Sequence, residues 1–411
     1  MSLQDLRRPG HWPSLLGSFL YFDMSIMVWI LLGALGNSLA DEFGLSPSQK
    51  GIMVATPILG GAMLRLVFGV LADRLGTKRA AMIGLGITMA PLLLGWLWVN
   101  RFPQLLLVGL LLGVAGASFA VAIPMASRWY PEEQQGLVLG IVGAGNSGTA
   151  IATMLAPRLV PLVGWHGVFG LSLIPIVLVF LFVALLVKDS PAQPAPRRWK
   201  DYLSVLGLSD TYWFCGFYSM TFGGFVGLTS YLSIYFHDQY GLDPIRAGTF
   251  ATICALAGSL FRPLGGYLAD RLSGEVMLLM LFLGLGVLGL RMSYIPRLDS
   301  STLTLFVMMA MLGMGSGAIF QIVPRRFPEE IGVLAGLVGA AGGLGGFILP
   351  LVLGYSRQWT GRFGPGFFLL GLGGFASAGM ILQASRSWQK SSQSLAVRER
   401  SLREIQAGAG G

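Results

Sequence analysis

GGAMLRLVFGVLADRLG, residues 60–76, sets Arg65 inside an apolar run, eight residues before Asp73-Arg74. AGSLFRPLGGYLADRLSG, residues 257–274, repeats the device with Arg262 eight residues before Asp270-Arg271, at a shift of 197 residues. An arginine at the centre of a membrane helix costs about 2.5–3.5 kcal/mol on insertion scales. Two of them, in register across a repeat, call for a common physical cause.

The apolar setting is general. Of 411 residues, 54% are hydrophobic and only 11% charged, against about 25% charged in a soluble domain. Glycine is abundant, at 59 residues, as in tightly packed membrane helices. The composition predicts an all-α, polytopic membrane protein. A β-barrel would show alternating segments of about ten residues instead. The net charge of +9 would suggest nucleic acid on a soluble chain. Here Lys- and Arg-rich cytoplasmic loops explain it, so no nucleic-acid partner is expected. Cys215 and Cys254 lie in apolar segments and make neither a disulfide framework nor a metal spacing. The N-terminus, MSLQDLRRPGHWP, is polar and basic. A full-length span follows it, not the short apolar stretch of a signal peptide, so it reads as a cytoplasmic start.

Spans of about 20 apolar residues cross the hydrocarbon core. Twelve are readable, at 14–38, 49–71, 80–99, 103–127, 135–158, 166–187, 211–236, 246–269, 275–294, 301–324, 333–355 and 364–385. With the N-terminus inside, the inner segments hold 18 Lys and Arg and the outer segments eight. That asymmetry puts both termini in the cytoplasm of a multi-pass inner (plasma) membrane protein. Of the 28 basic residues, only Arg65 and Arg262 are left deep within spans, the others falling in loops or near span ends. Residues 188–210, rich in Pro and charge, divide the chain. The expected units are an N-terminal six-helix half (1–187), a cytoplasmic linker (188–210), a C-terminal half (211–385) and a polar tail (386–411), disordered or weakly helical. GLSPSQKG at 44–51 matches GLDPIRAG at 241–248, and Pro131 of RWYPEE matches Pro328 of RRFPEE at the same shift of 197. Two parallel repeats related by an axis along the membrane normal place a substrate site at their interface, near the midplane.

GVLADRLGTKR (69–79) and GYLADRLSG (266–274) fall at the cytoplasmic ends of spans two and eight. With the duplicated twelve-span plan, they resemble the signature loop of the major facilitator superfamily. Asp73, Arg74, Asp270 and Arg271 read as gating elements, the carboxylates taking charge-assisted hydrogen bonds from helix ends or arginines. The competing reading is a set of solvated loop charges.

Eight residues of helix rise about 12 Å, so Arg65 and Arg262 lie near the middle of a core about 30 Å thick. Each must face a partner, water or a ligand. The one acidic residue inside a span and away from its ends is Asp23, in LYFDMSIMVW. One carboxylate cannot neutralise two guanidiniums, so an anionic substrate is expected. Planar, paired donors suit a flat oxyanion. Nitrate, nitrite, bicarbonate and carboxylates all qualify, and phosphate esters less well. Span five reads GLVLGIVGAGNSGTAIATMLAP, with Gly143 and Gly145 beside Asn146, whose amide can donate without adding charge. Span eleven reads GLVGAAGGLGGFILP. Its Gly336, Gly339, Gly343 and Gly346 share a helical face, for close packing or for approach of a ligand.

GAGNSG in span five, GGLGGF in span eleven, FYSMTFGGFVG in span seven and an arginine in each of spans two and eight resemble the nitrate/nitrite porter family of that superfamily, over essentially the whole chain. The resemblance implies a secondary transporter with a major facilitator fold, no cofactor and no enzymatic role. It implies that Arg65 and Arg262 clamp the anion, that Asn146 and Tyr218 assist, and that Phe222 and Phe119 sandwich it. It leaves two couplings open. In nitrate/nitrite exchange, the empty site's positive charge resists switching. In proton symport, Asp23 changes protonation after pairing with an arginine in the empty carrier. Expected partners are therefore nitrate, nitrite, protons and lipid, around a monomer. The rivals are a carboxylate carrier and a membrane sensor. The short loops and the lack of any sizeable soluble domain weigh against a sensor. None of His11, His166 and His237 sits mid-span, so they are expected in loops, and no metal or catalytic spacing is visible.

Overall fold

The computed structural model describes residues 10–191, 207–326 and 331–408. Among the described residues every element is helical, with no strand. Nine stretches are long and apolar enough to cross a membrane, and one of them, Leu137–Leu186, is 50 residues long. It bends at Gly164, whose φ of 68° is non-helical, and so makes two passes. Residues 12–43 and 209–240 supply two further passes as chains of shorter helices. The chain is thus a multi-pass membrane protein with the twelve passages read from its hydropathy.

In chain order the helices are α1 (Trp12–Trp29), α2 (Leu31–Ala34), α3 (Gly36–Phe43), α4 (Pro47–Leu75), α5 (Thr77–Leu97), α6 (Phe102–Gly116), α7 (Phe119–Ser127) and α8 (Glu132–Gly143). A 3-10 turn, Ala144–Ser147, leads into α9 (Gly148–Leu186). Then come α10 (Ser209–Tyr218), a π-helical turn (Ser219–Gly223), α11 (Gly224–Tyr240), α12 (Pro244–Leu272), α13 (Gly274–Ser293), α14 (Leu298–Arg326), α15 (Ile331–Thr360) and α16 (Gly364–Gly408).

The repeated sequences are helix punctuation. Gly44 and Gly241, with φ of 59° and 65°, end one helix in the left-handed conformation that glycine adopts without penalty. Two residues later, Ser46 accepts from the Gln49 N–H at 3.4 Å, and Asp243 accepts from the Ile245 and Arg246 N–H groups at 3.1 Å. Pro47 and Pro244 then occupy the first helical position, where a missing N–H costs nothing. The ADRL motifs also end in left-handed turns. Gly76 has φ 87°, but its counterpart Ser273 holds φ 67° without the freedom of glycine. The helix after Gly76 is capped by Asp189, which accepts from the Lys78 N–H at 2.8 Å and the Thr77 hydroxyl at 3.1 Å. The helix after Ser273 is capped by the Ser273 hydroxyl, at 3.4 Å from the Val276 nitrogen.

Residues before and after the linker pack together along α4 with α15, α9 with α12, and α2 and α3 with α11. At the end away from the ADRL turns, polar bonds cross this interface. Lys50 makes a salt bridge with Asp238 at 2.8 Å, both side chains largely buried. The Asn37 amide donates to the Ser233 carbonyl at 3.3 Å. Thr153 and Thr252 share a hydroxyl bond at 2.8 Å, and Arg158 donates to Thr249 at 2.8 Å.

Two expectations need correction. The backbone of α16 runs helically through to Gly408, whereas residues 386–411 were expected to be disordered or weakly helical. Its sequence there lacks proline and is rich in Gln, Glu, Arg and Leu, all good helix formers. His166 and His237, expected in loops, both lie in helices: His166 in α9, two residues past the Gly164 bend, where it bonds the Val99 carbonyl at 2.7 Å, and His237 in the last turn of α11. Residues 192–206 of the expected linker, residues 327–330 and the side chain of Asp270 lie outside the described set.

Candidate anion-binding site

Four of the passages are interrupted, and the interruptions surround the two arginines. Span one breaks at Ile30 and Leu35, span four at Ala117-Ser118, span five at the 3-10 turn and span seven at the π turn. A break releases backbone groups from the i→i−4 ladder, so such turns are kept where something else binds them. Gly116, the last residue of α6, shows the use: its carbonyl accepts from Arg65 Nε at 3.2 Å. Arg65 Nη1 donates to the Gly339 carbonyl at 2.6 Å. One guanidinium therefore ties span two to span four and to span eleven. It is 1% exposed.

The third nitrogen, Arg65 Nη2, is buried without a hydrogen-bond partner. Arg262 shows the same pattern: Nη1 is buried and unpaired, and Nη2 makes one long bond, 3.4 Å, to the Tyr218 hydroxyl. Neither arginine makes an ion pair among the described residues. A buried donor left unpaired costs about 1–3 kcal/mol, more when charged.

Aromatic rings floor the site. Phe222 lies under both cations, 4.6 Å from the Arg65 Cζ and 6.0 Å from the Arg262 Cζ. Phe119 lies 5.2 Å from the Arg262 Cζ. Both geometries are within the range of cation–π attraction. Tyr218 stacks on Phe222 with centroids 5.0 Å apart and planes 2° from parallel, so the end of α10 and the π turn together carry a two-ring platform. Gly342 of span eleven meets this platform edge-on, where a Cβ would come 2.5 Å from the Tyr218 ring.

The glycines divide by role. A Cβ at Gly143 would stand 3.8 Å from Arg262 Nε, and one at Gly339 would stand 3.4 Å from Arg65 Nη1. A Cβ at either would make ordinary van der Waals contact, so these two glycines line the guanidiniums without being required for clearance. Gly145 and Gly343 serve helix contact instead: added Cβ atoms would come 2.7 Å from Phe22 and from Ala62. Asn146 is 2% exposed, and its Oδ1 has no hydrogen-bond partner. Turning the amide over would present an N–H there.

Asp23 is buried at 3% exposure, and its Oδ1 accepts from the Ser147 hydroxyl at 2.7 Å. At the ADRL turn, Asp73 pairs with Arg128 at 2.6 Å, while Arg271 lies over the Tyr267 ring at 4.6 Å. Arg74 sits in the last turn of α4.

Three participants escaped the sequence reading. Trp29 lies under Arg65, 5.6 Å from its Cζ, with the indole N–H donating to the Pro57 carbonyl at 2.7 Å. An aromatic in an apolar run carries no local mark of such a role. Ser147 and the Gly116 carbonyl were equally silent, because each acts through a neighbouring helix.

Comparison with known proteins bears on this arrangement. The sequence model of the Major Facilitator Superfamily matches residues 17–350. The chain is 32% identical over 366 residues to a protein named "Nitrite extrusion protein" from Bacillus subtilis, covering 89% of this chain and 91% of that one. It is 34% identical to "Probable nitrate/nitrite antiporter NarK1" from Thermus thermophilus, covering 88% and 89%. It is 36% identical to "Probable nitrate/nitrite transporter NarK2" from Mycobacterium tuberculosis, covering 80% and 85%. Among solved structures, it is similar to a bacterial homologue of the human lysosomal transporter Spinster in an inward-facing, occupied conformation. That match has a TM-score of 0.69 at 16% identity and covers 92% of this chain and 97% of that one. It speaks for the fold alone.

Proposed function

The chain belongs to the nitrate/nitrite porter family of the major facilitator superfamily, and on that premise we propose that it carries nitrate and nitrite across the plasma membrane by alternating access. One observation carries the reading. Two guanidiniums from corresponding helices of a repeat lean on one phenylalanine, each with a buried N–H that no protein acceptor meets. A flat anion lying along the Phe222 platform accepts from both. Asn146 adds an uncharged donor, and Phe119 closes the face beside Arg262. The planar fork favours trigonal oxyanions over spherical ones.

Coupling follows from charge. With no anion, two like charges face each other in a low-dielectric interior, and closure of the halves around them is disfavoured. An anion removes the excess and lets the halves rock. Exchange of nitrate for nitrite needs nothing more. Asp73 with Arg128, and the turn bearing Arg271, would govern the end that opens to the cytoplasm, where both termini would lie. Gly143 and Gly339, set against the guanidiniums, would take part in the rocking of their helices.

The test is nitrate flux into proteoliposomes, with and without internal nitrite and with and without a pH gradient. Nitrite-dependent uptake is expected. Absence of nitrate movement under every driving force refutes the assignment. Uptake that needs the pH gradient alone selects symport.

A further inference from the structure

Asp23 stands at the depth of the clamp. It is eleven residues into α1, Arg65 and Arg262 are each ten residues from the ADRL ends of α4 and α12, and Asn146 is fourteen residues from the start of α8. At about 1.5 Å per residue these positions share one layer of the membrane. Yet the carboxylate turns to neither arginine. It accepts instead from the Ser147 hydroxyl, on the residue next to Asn146, at 2.7 Å, and from the backbone N–H of Gly148.

The surroundings explain why such a bond matters. Span five reads GAGNSG through its 3-10 turn, and glycine gives a backbone little resistance to rearrangement. The turn is pressed against α1 so closely that a Cβ at Gly148 would overlap the Asp23 carbonyl oxygen, and one at Gly145 would come 3.1 Å from the Asp23 nitrogen. The same turn packs against α12, the helix of Arg262, and Gly143 just before it faces the Arg262 Nε. Within the turn, Ser147 donates the side-chain bond that fixes it to α1.

We infer that Asp23 is a positioning residue of the anion site: through Ser147 it holds the Ala144–Ser147 turn against span one, and so sets where Asn146 and the Gly143 backbone stand relative to Arg262. What the contact needs is an acceptor at the Asp23 Oδ1 position. Charge at that position is not required. The carboxamide of Asp23→Asn can accept from Ser147 in the same way. The kinetic part of this inference rests on the nitrate reading above; the structural part does not.

Four full-length variants test it, reconstituted for flux and kept in detergent for hydrogen–deuterium exchange. Asp23→Ala and Ser147→Ala should each raise the nitrate KM about 10-fold, equivalent to about 1.4 kcal/mol, with maximal rate changed less. The double variant should be no worse than Asp23→Ala alone, which already removes the acceptor that Ser147 bonds. Asp23→Asn should keep the wild-type KM and the wild-type pH profile of uptake. In exchange, amides of residues 144–150 should lose protection in both alanine variants and keep it in Asp23→Asn. If Asp23→Asn behaves as Asp23→Ala, the carboxylate acts through its charge and the inference fails. It also fails if the two alanine effects add, or if exchange in the turn is unchanged. If no variant or wild type moves nitrate while the exchange pattern holds, the transport assignment falls and the positioning role stands.

Discussion

Arg65→Lys keeps the charge and removes the fork. In the wild type, Nε and Nη1 are committed to the Gly116 and Gly339 carbonyls at 3.2 and 2.6 Å, and only Nη2 is left for an anion. A lysine ammonium has three donors but one nitrogen, and it cannot reach acceptors on spans four and eleven and an anion together. At least one charge-assisted bond is lost, worth about 1.5–3 kcal/mol. The stack on Phe222 at 4.6 Å weakens too, by about 0.5–1 kcal/mol. At 1.4 kcal/mol per factor of ten, the nitrate KM should rise on the order of 30- to 700-fold, provided that reconstituted protein is folded. The assay is nitrate/nitrite counterflow in proteoliposomes, with thermal melting of the same samples. Arg262→Lys gives the internal contrast. Its one protein bond is long, at 3.4 Å, so its melting temperature should fall less than that of Arg65→Lys, while its nitrate KM rises comparably. A KM for Arg65→Lys within threefold of wild type refutes the clamp. So does an Arg262→Lys that melts far below Arg65→Lys.

Lys50→Asp and Asp238→Lys should each make cysteines placed at Asn37 and Ser233 more reactive to an impermeant thiol reagent, because each puts like charges across the interface. The double swap should restore protection. Gly148→Ala should destabilise the protein by about 1–3 kcal/mol, the usual cost of forcing bulk into a packed interior, seen as an early melt; a neutral Gly148→Ala would mean that α1 and span five do not touch there. Burial, and secondarily the nearby Lys188, hold His11 below its ordinary value of 6.5. The folded state therefore binds fewer protons than the unfolded one, and stability is fully present above that value and declines as pH drops below it. The melting temperature of wild type should fall from pH 7 to pH 5 with a slope that His11→Gln flattens.

The plan of the protein was legible because hydropathy and a fixed repeat shift report on it directly. Arg65 and Arg262 stood out because the charge count left them alone inside spans. Tertiary contacts hid the rest. No proline marks the breaks at Ile30, Leu35 or Ser219; they form where another helix presses in, as Ser230 does on Gly33 and span eleven on Gly223. Asp23 invited pairing with a cation because opposite charges attract over distance. Its actual partner, Ser147, is set by which helix lies beside span one, and the linear order of residues does not carry that. Trp29 is silent for a similar reason: nothing in its sequence neighbours foretells that Gly61 and Gly116 leave its ring a slot beside Arg65.

The bridges Lys50–Asp238, Asn37–Ser233, Thr153–Thr252 and Arg158–Thr249 all sit on one side of the clamp. They make that end a seam with its own opening cost, separate from the cost of moving charge. At about 0.5–1.5 kcal/mol per net hydrogen bond, the seam is a barrier of a few kcal/mol that thermal motion crosses readily but not constantly. Its bonds are short-range and directional, so they resist separation and hardly oppose closure. A carrier built this way has an asymmetric return stroke: it leaves the sealed state slowly and re-enters it quickly, and the time it spends with that side open is set by residues that never touch the cargo.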